Sequence, residues 1–163
     1  MLFISDANIF IDLQKIGLLE LFDKLEIEIA TSDFVFSELN TLQQEIVKSL
    51  NIAIYSMDAN ELVSFYREFS DKKLKKISYQ DYSIFYFAKK YNGELLSNDK
   101  RLREYAKEQK VSVKGVFFII DKMVDKELVD KDDMIKKLRL LQEINKRIPL
   151  KEIESRIQKW SKL

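Results

Sequence analysis

Four acidic residues far apart in the sequence, Asp6, Glu38, Asp81 and Asp99, each lie near an apolar run or a helical pattern. The chain has no cysteine and no histidine. This excludes thiolate nucleophiles, imidazole bases, Cys/His zinc sites and Ser-His-Asp triads. Any catalysis would use carboxylates, amides, hydroxyls or lysine. Carboxylates bind Mg²⁺ or Mn²⁺, and such ions activate water at a phosphodiester.

The elements that must position these acids follow from the pattern of apolar residues. Strand-like runs occur at residues 2–5, 26–31, 51–56 and 94–97, with helical periodicity between them. This alternation predicts parallel strands covered by helices, an α/β fold with three α/β/α layers. A chain of 163 residues is the size of one domain, so we expect a single domain over residues 1–163.

The C-terminal third has a helical pattern throughout. Residues 115–126, 130–147 and 150–160 are predicted helices, the last of them opened by Pro149. Residues 116–120 alone could form a strand, but the apolar pattern continues to Met123 and Val124 and favours a helix. We therefore expect residues 115–163 to be a helical extension packed on the domain.

The carboxyl ends of parallel strands lie at one edge of a sheet, where ligands bind. Asp6 follows the first run directly, and Asp99 follows the fourth. Glu38 lies early in the helix after the second run, and Asp81 lies in the first turn of a helix predicted over residues 78–91, which we expect to end at Gly93. The four acids are therefore expected to meet at one rim and to hold a divalent cation.

A structural interpretation of the same acids stays open. Asp6 and Asp99 are also well placed to cap the helices that follow them, and Asp81 lies three residues after Ser78, which is the spacing of a capping box. Capping acids gather at the same edge as ligands do. Glu38 differs, because it lies six residues beyond Ser32, the expected cap, and so it favours a cleft or a partner.

In these motifs the sequence resembles the PIN-domain nucleases, most closely the small prokaryotic VapC-like type. Asp6-Ala7-Asn8 is similar to the family's first motif, and Ser37-Glu38-Leu39 to its second acidic position. Tyr79-Gln80-Asp81 is similar to the third acidic position and Ser97-Asn98-Asp99 to the fourth. Order and separation agree over residues 1 to about 115, and the helical tail is also similar to that of compact members.

The resemblance implies a metal-dependent ribonuclease in which water attacks RNA. Asp6, Asp81 and Asp99 would be ligands of Mg²⁺ or Mn²⁺, and Glu38 a ligand or a base that orients water. Asn8 and Ser97 would orient the carboxylates. Asp99 is followed by Lys100, Arg101, Leu102 and Arg103 rather than by the additional acid that many members have. The resemblance also implies an antitoxin partner or a homodimer.

Cations flank two of the four acids although the whole chain is nearly neutral, with 28 basic and 27 acidic residues. We expect them to hold RNA phosphates beside the metal, whereas the alternative is a solvated charged loop. Apolar runs are too short to span a bilayer, and no basic segment precedes an N-terminal apolar stretch, so we expect a cytoplasmic protein. The expected phosphate-binding residues are Lys72, Lys73, Lys75, Lys76, Lys100, Arg101 and Arg103.

Three functions follow from these observations. The first is a metal-dependent ribonuclease, as the toxin of a toxin–antitoxin pair. The second is a module of the same fold that binds RNA or protein without catalysis, its acids serving as caps. The third is a phosphatase with Asp6 as nucleophile, which is disfavoured because the position two residues later holds Asn8 rather than a second aspartate.

Overall fold

A computed structural model describes residues 1–71 and 76–162. Its centre is one sheet of five parallel strands in the order β3-β2-β1-β4-β5. This confirms the predicted α/β/α architecture. The strands are β1 (Leu2–Ser5), β2 (Glu28–Ser32), β3 (Ile52–Tyr55), β4 (Glu94–Leu96) and β5 (Val113–Lys114).

Helices alternate with the strands and cover the sheet. A 3-10 helix, Leu19–Leu25, lies between α1 and β2. The α-helices are α1 (Ala7–Lys15), α2 (Asp33–Glu38), α3 (Thr41–Ser49), α4 (Ala59–Asp71), α5 (Tyr79–Lys90), α6 (Lys100–Glu108), α7 (Val116–Asp125), α8 (Lys131–Ile144) and α9 (Leu150–Ser161).

The order of the strands creates a switch point in the middle of the sheet. The chain adds strands on one side as it passes from β1 to β2 and β3, and then returns to add β4 and β5 on the other side of β1. Crevices form at the carboxyl edge where the winding direction reverses in this way. In this sheet the reversal lies between β1 and β4, the strands that Asp6 and Asp99 follow.

The central strands are fixed to one another at that edge. Ile4 is paired with Leu95 across β1 and β4, and Asp6 N–H donates to Leu96 O at 3.0 Å. On the other side of β1, the buried Thr31 hydroxyl donates to Ser5 O at 2.8 Å. These contacts set the height at which β1 ends, and therefore the position of the Asp6 side chain.

One local expectation is wrong in detail, and one strand was missed. We expected Gly93 to end α5, but the left-handed residue is Asn92, with φ of 51°. Gly93 follows it where a Cβ would lie 2.9 Å from Leu2 O, so close approach to β1 is what requires glycine. The fifth strand, β5, was not predicted as a strand.

The three C-terminal helices pack on the domain through buried and half-buried side chains. Met134, Leu138 and Leu141 of α8 and Ile153 of α9 belong to the hydrophobic core. Residues 116–120 form the first half of α7, so the helical interpretation was correct. No helix within the described ranges is long and apolar enough to cross a membrane.

Asp12 on α1 connects the first helix to this C-terminal region. Asp12 is buried, and it accepts a hydrogen bond from Asn145 Nδ2 at 2.9 Å. Burial raises the pKa of Asp12, while Asn145 and the charge of Lys15 lower it. Asp12 thus links α1 to the end of α8.

Candidate functional site

Asp6 lies at the switch point and is only 1% exposed. It is the N-cap of α1, because its Oδ1 accepts from Ile9 N–H at 3.0 Å. Its other oxygen, Oδ2, accepts from the Ser97 hydroxyl. The capping interpretation of Asp6 is therefore correct, and the same carboxylate also forms the buried floor of the rim.

Asp99 is held beside Asp6 by Ser97. The Ser97 hydroxyl donates to Asp6 and accepts from Asp99 N–H at 3.0 Å. Asp99 is half-buried and caps α6, since its Oδ1 accepts from Leu102 N–H at 2.8 Å. One buried hydroxyl thus contacts both the Asp6 carboxylate that follows β1 and the backbone N–H of Asp99, which follows β4.

Asp81 and Glu38 approach the rim from α5 and α2. Ser78 caps α5, and its hydroxyl accepts from Asp81 N–H at 3.1 Å. Glu38 is the last residue of α2 and is exposed. Ser32 caps α2 as expected, accepting from Val35 N–H at 3.0 Å, which leaves Glu38 outside the cap.

The carboxylates interact electrostatically across the rim. Burial is the main reason why the pKa of Asp6 is raised to about 7, and the charges of Asp81 and Asp99 raise it further against the hydrogen bonds from Ser97 and Ile9. Burial and then the charge of Asp99 raise the pKa of Asp81, while a hydrogen bond with Ser78 lowers it. Desolvation and then the charge of Asp81 raise the pKa of Glu38.

These couplings join acids from four separate elements into one anionic cluster. Within the described ranges, however, no three acidic side chains lie close enough together to form a ready-made metal cage. Mg²⁺ does not need such a cage, because it keeps several waters and binds proteins through one or two carboxylates together with substrate phosphates. The donors of the cluster are all carboxylate oxygens, and these fit a hard divalent cation of this kind.

The expected phosphate-binding residues differ in their exposure and contacts. Lys72, Lys73 and Lys75 lie outside the described residues, while Lys76, Lys100 and Arg101 are exposed. Arg103 is half-buried, and its Nη1 donates to Ser97 O at 2.8 Å. Arg103 therefore supports the loop that carries Ser97 and Asp99.

Asn8 and Ser97 were both expected to orient the carboxylates. Ser97 makes such contacts, as described above. Asn8 is exposed in the first turn of α1, and the hydrogen bonds to Asp6 come from Ile9 and Ser97 instead. The role of Asn8 stays a prediction.

A pair of buried serines near the cluster was missed in the sequence. Ser32 and Ser83 share a hydrogen bond of 2.6 Å between their hydroxyls, and both residues are buried. Ser32 begins the helix that carries Glu38, and Ser83 lies two residues after Asp81, so this bond fixes the two helices relative to each other. The signal was a serine in the apolar sequence Tyr82 to Phe85.

The chain was compared with protein-family models and with known proteins. The family model described as PIN domain matches residues 2–162. Among solved structures, a PilT N-terminus domain protein from the hyperthermophilic archaeon Sulfolobus solfataricus P2 is similar, with 13% sequence identity and a TM-score of 0.44. That likeness covers 77% of this chain and 93% of the archaeal chain. No curated protein matches.

Proposed function

The chain belongs to the PIN-domain family, and from this membership we propose that it is a Mg²⁺- or Mn²⁺-dependent ribonuclease. PIN domains are generally nucleases and usually use divalent metal ions. The observation that carries the proposal is the coupling of Asp6, Asp81, Asp99 and Glu38 at the switch point. Burial and neighbouring charge raise the pKa values of Asp6, Asp81 and Glu38. Acidic residues perturbed in this way are typical of a functional site.

Asp81 and Asp99 are the accessible ligands in this proposal. Both are half-buried, whereas Asp6 lies beneath them with each of its oxygens held by a hydrogen bond. Asp6 adds negative charge to the floor of the site. Ser97 contacts both Asp6 and Asp99 and holds them next to each other. Glu38 is exposed beside Asp81 and is suited to accept a proton from an attacking water, since its pKa is raised.

When bound, a divalent cation would offset the repulsion among these carboxylates, favour the ionised form of a bound water and stabilise the leaving oxygen of a phosphodiester. The chain's own residues orient the site. Ser97 and Ile9 fix the Asp6 carboxylate, and Ser78 fixes the first turn of α5 that carries Asp81. Because these groups are set before substrate binds, little reorganisation accompanies the reaction.

The test is a cleavage assay with a labelled single-stranded RNA in Mn²⁺, in Mg²⁺ and in EDTA. We expect cleavage that requires the ion and is lost in Asp81→Asn and in Asp99→Asn. The matched control is Asp125→Asn, which removes a carboxylate that is exposed at the end of α7. Equal cleavage by a folded Asp99→Asn protein and by the control would contradict the assignment of Asp99.

A second function is favoured by a specific observation. Asp6 and Asp99 both cap helices, which gives these acids a structural role that a non-catalytic RNA- or protein-binding module would share. Metal-independent RNA binding without cleavage would support this alternative. A toxin role, an antitoxin partner, a homodimer and a cytoplasmic location stay predictions within either function.

A further inference from the structure

A large basic groove lies beside the acidic cluster, between α6, the edge strand β5 and the start of α9. Its volume is about 1080 Å³, which is at or above the upper end of the 300–1,000 Å³ common for small-molecule pockets. Five cations line it: Lys100, Arg103, Lys107, Lys110 and Arg147. The groove is therefore suited to an extended anion rather than to a compact one.

The positive charge of the groove is only partly neutralised by its two acidic residues. Glu104 pairs with Lys100 at 4.0 Å, and Glu152 pairs with Arg156 of its own helix at 2.7 Å. Within residues 1–71 and 76–162, Lys107, Lys110 and Arg147 form no ion pair. These three cations thus line the groove without a carboxylate partner among the described residues.

The groove is continuous with the acidic cluster through Arg103. The guanidinium of Arg103 lines the groove and donates to Ser97 O at 2.8 Å. The hydroxyl of Ser97 in turn donates to Asp6. Asn98 and Lys100, the neighbours of Asp99 in the chain, also line the groove. An extended anion bound in the groove would therefore have one end next to the proposed cleavage site.

We propose that this groove holds the phosphate backbone of single-stranded RNA on one side of the cleavage site, with Lys107, Lys110 and Arg147 as phosphate contacts. This proposal rests on the proposed ribonuclease function, because RNA cleavage is assigned to the acidic rim. Helix α6, from Lys100 to Glu108, rises about 12 Å at 1.5 Å per residue. One strand carries a phosphate every 3.4 Å or more, so the groove accommodates about three phosphates.

An acidic peptide added to the free edge of β5 is the competing occupant. The strand β5 has only two residues, Val113 and Lys114, so it offers few main-chain hydrogen bonds to an added strand. Lys107 lies on α6, Lys110 comes two residues after α6 ends, and Arg147 comes before the start of α9. This distribution favours a ligand with regularly spaced charges.

The experiment measures fluorescence anisotropy of a labelled twelve-residue oligouridine in EDTA at several NaCl concentrations. Circular dichroism checks that each protein is folded. The groove variant carries Lys107→Gln, Lys110→Gln and Arg147→Gln. The control variant removes three exposed lysines that do not line the groove, by Lys24→Gln, Lys89→Gln and Lys136→Gln.

Each phosphate contact in a single strand contributes about 0.7 to the slope of log affinity against log salt. Loss of three contacts should lower that slope by about 2 and weaken binding about 100-fold at about 0.1 M salt. The control should bind within about threefold of the unchanged chain. Equal loss of affinity in the two variants, or no change of slope in the groove variant, would overturn the proposal.

Failure of this proposal is distinguishable from failure of the ribonuclease function. Metal-dependent cleavage together with unchanged RNA binding by the groove variant would overturn the groove and leave the ribonuclease. Groove-dependent RNA binding without cleavage in Mn²⁺ would support the groove and reject the ribonuclease. Binding of a labelled deca-glutamate peptide that is lost in the groove variant, with RNA binding unchanged, would assign the groove to an acidic peptide and overturn the proposal.

Discussion

Replacing Asp6 by asparagine should stabilise the metal-free protein, and the gain should grow with pH. Burial raises the pKa of Asp6 from 3.8 to about 7, so between these pH values the folded chain binds a proton that the unfolded chain has lost. The free energy of unfolding therefore falls as pH rises through this window. The whole pKa shift of Asp6 corresponds to about 4 kcal/mol of unfolding free energy, at about 1.36 kcal/mol per pKa unit.

About 3 kcal/mol of this fall in the free energy of unfolding occurs between about pH 5 and pH 8. The substituted asparagine would be neutral throughout, and its side-chain oxygen can still accept from Ile9 N–H, so the Asp6→Asn protein lacks this dependence. Its advantage in unfolding free energy over the unchanged chain should therefore increase by about 3 kcal/mol over that range.

Urea unfolding in EDTA at several pH values measures this difference. The single tryptophan, Trp160, is buried on α9 and provides a fluorescence signal. Asp125→Asn is the control, since this carboxylate is exposed at the end of α7. If the difference in unfolding free energy between the Asp6→Asn protein and the unchanged chain is constant from about pH 5 to pH 8, then Asp6 is not a buried acid with a raised pKa.

Two further predictions concern the support of the rim. Ser97→Ala removes the hydroxyl that binds Asp6 and should lower the free energy of unfolding by about 1–3 kcal/mol, a loss that urea unfolding would measure and that an unchanged midpoint would refute. Gly115→Ala places a Cβ against Asn98 Oδ1 and should cost about 1–3 kcal/mol; a thermal midpoint equal to that of the unchanged chain would show that the loop relaxes freely.

The sequence predicted the central elements of the site because their signals are local. An apolar run that ends at Asp6, and another that ends before Asp99, place both carboxylates at the ends of β1 and β4. The carboxyl-edge rule then brings them together without any knowledge of strand order. The cap on α5 was predicted in the same way, from Ser78 and the helical pattern after it.

What the sequence missed depends on contacts between distant segments. The short strand β5 has two residues, too few for a period of two to be recognised. Arg103 was assigned to phosphate because of its charge, but its contact with Ser97 O depends on how α6 turns back along β4. The hydrogen bond between Ser32 and Ser83 joins residues 51 positions apart in the chain.

The groove beside α6 shows the same dependence on tertiary structure. Lys107 and Lys110 follow Asp99 closely in the chain, whereas Arg147 lies between α8 and α9. Only the return of the C-terminal helices to the edge of the sheet brings these charges to one surface. The run of cations after Asp99 predicted Lys100, Arg101 and Arg103 as phosphate contacts, of which Lys100 and Arg103 line the groove, but it could not include Arg147.

The central claim is the proposal that Asp81 and Asp99 bind a divalent cation at the switch point of the sheet. Calorimetric titration with Mn²⁺ at neutral pH tests it most directly. We predict saturable binding by the unchanged chain and by Asp125→Asn, and loss of that binding in Asp81→Asn and in Asp99→Asn while both stay folded. Absence of binding by the unchanged chain, or equal binding by all four proteins, would contradict the claim.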